Sequence, residues 1–130
     1  MMYYFLALVV SWLVAFAMKA YLSKEEFSLR NGLRNGGMPS QHTAALSAIT
    51  FAILFVEGFS ALFYLAFVLL VIVMTDAVNV RHSVGMQALR LNEISKNKQD
   101  LRVVRGHTKK EVFVGLLIGL IVSYGLLFVV

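Results

Sequence analysis

The sequence predicts an all-α integral membrane protein: four transmembrane helices, with an interfacial amphipathic helix between the third and the fourth. Three observations predict it. Hydrophobic residues fill 59% of the 130 positions and charged residues only 15%, with a mean hydropathy of +0.77. A soluble domain of this size would have too little polar surface to cover itself. Apolar stretches alternate with short polar segments, and all twelve Lys and Arg residues gather on one side of the arrangement those stretches impose. The length suits a single transmembrane domain over residues 1–130.

The first span covers 2–21, since ~20 apolar residues cross a hydrocarbon core. A cleaved signal peptide is the weaker reading, because no basic leader precedes the apolar run. The second span, 43–56, is shorter and rich in small residues. Glu57-Gly58 makes a tight hairpin into the third span, 59–78, and the fourth covers 112–130. Between the last two, Val84, Ala88, Leu91 and Ile94 recur at helical spacing, which predicts an amphipathic helix within 84–100 lying under the bundle. Its basic residues suit anionic lipid.

Four spans alternate up and down. Loop 23–42, the end of the third span near Asp76 and Arg81, and segment 82–111 therefore share one side. The other side holds the termini and Glu57. By the positive-inside rule the basic side is cytoplasmic and both termini face outward, in a multi-pass protein of the cell membrane. The formal charge of +5 is accounted for by topology, so no nucleic-acid partner is expected. The absence of cysteine excludes disulfides, thiolate zinc sites and cysteine nucleophiles.

Small residues recur every fourth position at Ala44, Ala48 and Ala52, and again at Gly115, Gly119 and Ser123. Such faces let helix backbones approach closely. Packing within one bundle is the first expectation, and a homodimer seam the second.

Ionisable residues at a membrane boundary are functional candidates because holding them there is costly. His42 opens the second span behind a glycine-rich turn that includes Gly37, and such a turn aims backbone N–H groups at anions. Lys19 lies in the first span, Asp76 and Arg81 end the third, and His107 with Glu111 opens the fourth, one helical turn apart on one face. Three helix ends thus bring an acid/base pair, cations and two positive dipole ends to one membrane face, a combination suited to phosphate. Plainer readings stand beside this one. Thr108-x-x-Glu111 is a capping box, Ser40 suits an N-cap, and Arg81 suits the positive-inside rule. No His-x3-His or similar ligand pair occurs, so neither a metal nor another cofactor is expected.

At Gly36-Gly37-Met38-Pro39-Ser40-Gln41-His42, Glu57-Gly58-Phe59-Ser60, Asp76-Ala77 with Arg81, Gln87-Ala88, Leu91-Asn92 and Gly106-His107-Thr108-x-x-Glu111-Val112 with Gly115, the chain resembles the type 2 phosphatidic acid phosphatase superfamily. The match is to its divergent, short bacterial and plastid branch, and it runs in order over nearly the whole chain. The parent superfamily, which also includes vanadium-dependent haloperoxidases, uses the motifs Lys-x6-Arg-Pro, Pro-Ser-Gly-His and Ser-Arg-x5-His-x3-Asp.

The resemblance implies roles. His107 is the nucleophile, Glu111 replaces the aspartate that orients it, and His42 protonates the leaving alcohol. Ser40 and Arg81 hold phosphate oxygens, while Lys19 and Arg30 stand nearest to the first motif and Asp76 is a possible support. Gln41 occupies the position of the parent's glycine, Val80 precedes Arg81 in place of serine, and 26 positions separate Arg81 from His107 where the parent has six.

The function expected is a membrane phosphatase acting on a lipid phosphate or pyrophosphate through a phosphohistidine, with a phosphorylated membrane lipid as partner. The alternative is a non-catalytic relative that binds an anion or lipid headgroup or assembles with a partner. A proton or ion conductor is a third possibility.

Overall fold

The computed structural model describes residues 1–22, 37–95, 101, 103 and 106–129, and every regular element among them is helical. Helix α1 covers Met2–Leu22, α2 Gln41–Glu57 and α3 Ala61–Thr75. A π-helical turn, Asp76–Val80, then leads into α4, Arg81–Ile94, and α5 covers Lys109–Leu126. Two uninterrupted helical stretches are long and apolar enough to cross a membrane, Met2–Leu22 and the 34 residues of Ala61–Ile94. At 17 residues α2 is a shorter apolar helix, about 26 Å long at 1.5 Å per residue.

Small side chains decide the packing. Helix α2 is central and contacts α1, α3 and α5. Its Ala44, Ala48 and Ala52 are fully buried. A Cβ on Gly119 would overlap Ser47 Oγ and lie 2.5 Å from the Ala48 amide, and one on Gly115 would lie 2.5 Å from the Ser40 carbonyl. The two small-residue faces therefore meet each other within one chain, and α2 and α5 run in the same direction. Hydroxyls inside the bundle return to carbonyls of their own helices, Thr50 to Leu46 at 2.8 Å and Ser123 to Gly119 at 2.8 Å. This meets the demand that buried polar groups be paired.

Helix α1 runs antiparallel across that pair. Tyr3 donates to the Ser123 carbonyl at 2.6 Å, Ala7 packs with Ala48 and Ala52, and Ala15 packs with Ala44 and Ile118. The reversal from α2 to α3 follows the expected hairpin: Gly58 has φ +68°, a conformation costly for other residues. Ser60 then caps α3 by accepting from the Phe63 amide at 3.2 Å. Helix α3 leaves Leu62, Leu65, Val68, Leu69 and Ile72 exposed, an apolar face suited to lipid.

Beyond Thr75 the structure departs from the sequence expectation. The amphipathic segment does not start a separate helix near 84 but continues α3 through the π-turn, and its helix ends at Ile94. No proline or glycine interrupts 76–84, so the polar residues that end the apolar run do not end the helix. The amide of Arg81 reaches back five residues to the Asp76 carbonyl, the π pattern. Asn92 then ties α4 to Leu101, donating from Nδ2 to its carbonyl at 2.9 Å and accepting from its amide at 2.8 Å.

Candidate functional site

The end of α1, the start of α2, the π-turn and the start of α5 converge at one end of the bundle. Three backbone arrangements build it. The Ser40 amide donates to the Glu111 carbonyl at 3.1 Å, joining the two helix starts. The His107 amide donates to the Ala77 carbonyl at 2.9 Å, pinning the segment before α5 onto the π-turn. At Gly106 the fit is close enough that a Cβ would lie 2.5 Å from the His82 amide and 2.8 Å from the Ala77 carbonyl. The long interval between Arg81 and His107 therefore closes at the level from which α4 departs.

His107 Nδ1 lies 3.1 Å from Glu111 Oε2, and both side chains are mostly buried. A carboxylate only accepts, so Nδ1 carries the proton and the Nε2 lone pair is left available. The capping box is also present: Glu111 Oε2 accepts from the Thr108 amide at 3.1 Å, and Thr108 Oγ1 accepts from the Glu111 amide at 3.3 Å. One carboxylate thus serves both readings of this motif, capping α5 and orienting the imidazole.

Burial pushes His107 below its ordinary value, helped by the charges of Lys19 and His42 and opposed by Glu111. His42 is also pushed down, first by desolvation and then by the Arg81 and Lys19 charges. Two imidazoles and two cations therefore share one electrostatic environment. Lys19 is 7% exposed, and its Cε lies 3.7 Å from where a Cβ on Gly37 would stand. That ammonium sits beside the turn leading into α2. Arg81 Nε pairs with Asp76 Oδ2 at 2.6 Å across the π-turn, both side chains remaining substantially exposed.

Lys19, Gly37, His42, Arg81, His107 and Glu111 come together, with Asp76 holding Arg81. Ser40 is held differently. It occupies the N-cap position of α2, but its hydroxyl lies 3.0 Å from Thr43 Oγ1 and makes no cap hydrogen bond. Arg30 lies outside the described residues. Among the described residues, no three His, Asp or Glu side chains form a group suited to a metal.

Sequence reasoning missed the Ala77 carbonyl, the π-turn that presents it, and Thr43 as the partner of Ser40. Gly106, immediately before His107, was the available signal for the first of these. It marks a close backbone approach.

Residues 2–122 match the family described as the divergent PAP2 family. The chain is similar to the uncharacterized membrane protein YuiD of Bacillus subtilis (strain 168), with 33% identity over 108 residues covering 68% of each chain. No solved structure matches.

Proposed function

The chain belongs to the divergent PAP2 family, and from that premise we propose that it is a membrane phosphatase that hydrolyses a lipid phosphate or pyrophosphate through a phosphohistidine. The observation that carries this reading is the His107–Glu111 pair, which holds Nδ1 and leaves the Nε2 lone pair for chemistry, in one electrostatic environment with His42, Lys19 and Arg81. His107 Nε2 attacks phosphorus as the bond to the leaving oxygen breaks, and His42 gives that oxygen its proton. Water then attacks the phosphohistidine while His42 takes the water's proton, releasing inorganic phosphate and restoring the imidazole. Glu111 stabilises the imidazolium character that develops on His107. Lys19 and Arg81 offset charge on the non-transferred oxygens.

The depressed His42 fits the acid's role once substrate is bound. An anion between Lys19 and Arg81 offsets the charges that push His42 down, so binding favours its protonated form. In this reading the chain is one domain of four spans, 2–21, 43–56, 59–78 and 112–130. Its site and basic residues face the cytoplasm, and α4 projects from that face.

A second reading, an anion or headgroup binder without turnover, is favoured by Ser40, whose amide and hydroxyl are engaged by Glu111 and Thr43. Phosphate release from a panel of lipid phosphates in detergent separates the two. The wild type is expected to release phosphate and His107→Ala to release none; equal release by both proteins would sink the phosphatase reading.

A further inference from the structure

The first turn of α2 holds a donor that the chain does not use. Gln41 is 9% exposed, and its Nε2 is the single buried side-chain polar atom without a hydrogen-bond partner among the described residues. A carboxamide nitrogen offers two N–H donors, and leaving them buried and unpaired is unfavourable unless something outside the chain completes them.

Side chains of a helix lean toward its N-terminus. Gln41 is the first residue of α2, so that lean carries its side chain toward the space before the helix. That space is bordered by Gly37 and the Lys19 side chain. The adjoining first-turn amides are not capped by Ser40, whose hydroxyl lies against Thr43. Around one small volume the chain thus sets a carboxamide N–H2, uncapped amides and an ammonium. Such a set of donors suits a group with several negatively charged oxygens.

We propose that Gln41 is an oxyanion-binding, specificity-determining residue: its Nε2 donates to a non-transferred oxygen of the phosphate group bound before α2. The assignment rests on the phosphatase reading above for the ligand's identity, and on the buried, unpartnered donor for the residue. Gln41 here supplies from its side chain a contact that a smaller residue would leave to the backbone. The neutral carboxamide adds directionality without adding another positive charge beside Lys19.

The test uses the full-length protein in detergent, with tungstate as the phosphate-like probe. Binding is read by titration calorimetry, stability by thermal melting, and turnover by phosphate release. Gln41→Met keeps the length and removes the donor. It is expected to melt at or above the wild-type temperature, to weaken tungstate binding at least tenfold, and to raise KM more than it lowers kcat. Gln41→Glu, which sets a carboxylate against the anion, is expected to weaken binding further at pH 8. Gln41→Ser, too small to overpack, carries the same binding expectation where Gln41→Met does not fold.

Wild-type tungstate affinity retained in Gln41→Met, or in Gln41→Ser where that variant replaces it, would overturn the proposal, as would a wild type that binds no tungstate. The phosphatase reading fails separately, through release that is absent or indifferent to His107→Ala. Gln41-dependent tungstate binding without release would leave the oxyanion seat standing.

Discussion

Among the described residues the bundle carries one hydrogen-bonded glutamate at each end, and the two are placed oppositely with respect to their helices. Glu57 is the last residue of α2, where the helix dipole disfavours negative charge. It accepts from the Tyr4 hydroxyl at 2.8 Å and the Ser60 hydroxyl at 3.3 Å. Glu111 stands in the first turn of α5, where the dipole favours it, and its partners are a backbone amide and an imidazole. Around Glu57 the named partners are neutral hydroxyls that fasten α1 and the α2–α3 turn. Against Glu111 is His107, whose charge Lys19 and His42 in turn influence. A carboxylate in a helix pair is thus a clasp or a chemical group according to whether its partner can lose and regain a proton.

That contrast is open to test, and the largest effect is expected from the two glutamates themselves. Glu111→Ala should lower phosphate release by about 10²–10⁴-fold, the usual range for acid–base participation. Glu57→Ala should lower the melting temperature while leaving turnover per folded molecule unchanged. Equal kinetic losses from both would erase the distinction.

Next in size is Gly106→Ala. Its Cβ would meet the His82 amide and the Ala77 carbonyl, so the segment bearing His107 must lift off the π-turn. A displacement of about 1 Å in a catalytic group costs up to ~10²-fold. The loss should appear in kcat with little change in detergent-solubilised melting. An unchanged kcat would show that the π-turn does not position His107.

At the opposite end Tyr3→Phe removes the bond to the Ser123 carbonyl. It should cost about 0.5–1.5 kcal/mol of stability, measured by denaturant titration, with no shift in the pH–rate profile. A profile that did shift would mean the ends communicate.

The smallest effect concerns pH. His42 and His107 both lie below the ordinary 6.5 in the folded protein, so between 6.5 and their folded values the unfolded chain binds more protons. Stability is therefore complete above 6.5 and falls as pH is lowered through that window. Melting curves of the unliganded protein from pH 7.5 to 5 should show the decline, and His42→Gln with His107→Gln should flatten it.

Much of this was legible in the sequence, for reasons that differ by residue. The apolar runs located α1, α2, α3 and the body of α5, because backbone in lipid must satisfy itself as helix. Thr108-x-x-Glu111 announced a capping box, and His107 one turn from Glu111 announced a pair; both exist, sharing one oxygen. Lys19 was legible as an expensive charge in an apolar run. The continuation of α3 into α4 was not legible, because hydropathy reports where lipid ends and not where hydrogen-bonded helix ends. The role of Ala77 was hidden for a deeper reason. It contributes only a carbonyl, which every residue has, and what matters is the π-turn that presents it.

That turn also sets a rotational phase. A π-turn fits one more residue into a helix than α geometry allows, and each α-helical residue advances by about 100°. Drawing residues 76–80 into uniform α geometry with none of them deleted would undo that accommodation. Everything beyond would then be swung by about that angle, Arg81 first and the whole of α4 with it. The one-residue irregularity thus acts as an angular shim, and which faces the arm beyond the bundle turns toward it is set by that extra residue rather than by any side chain.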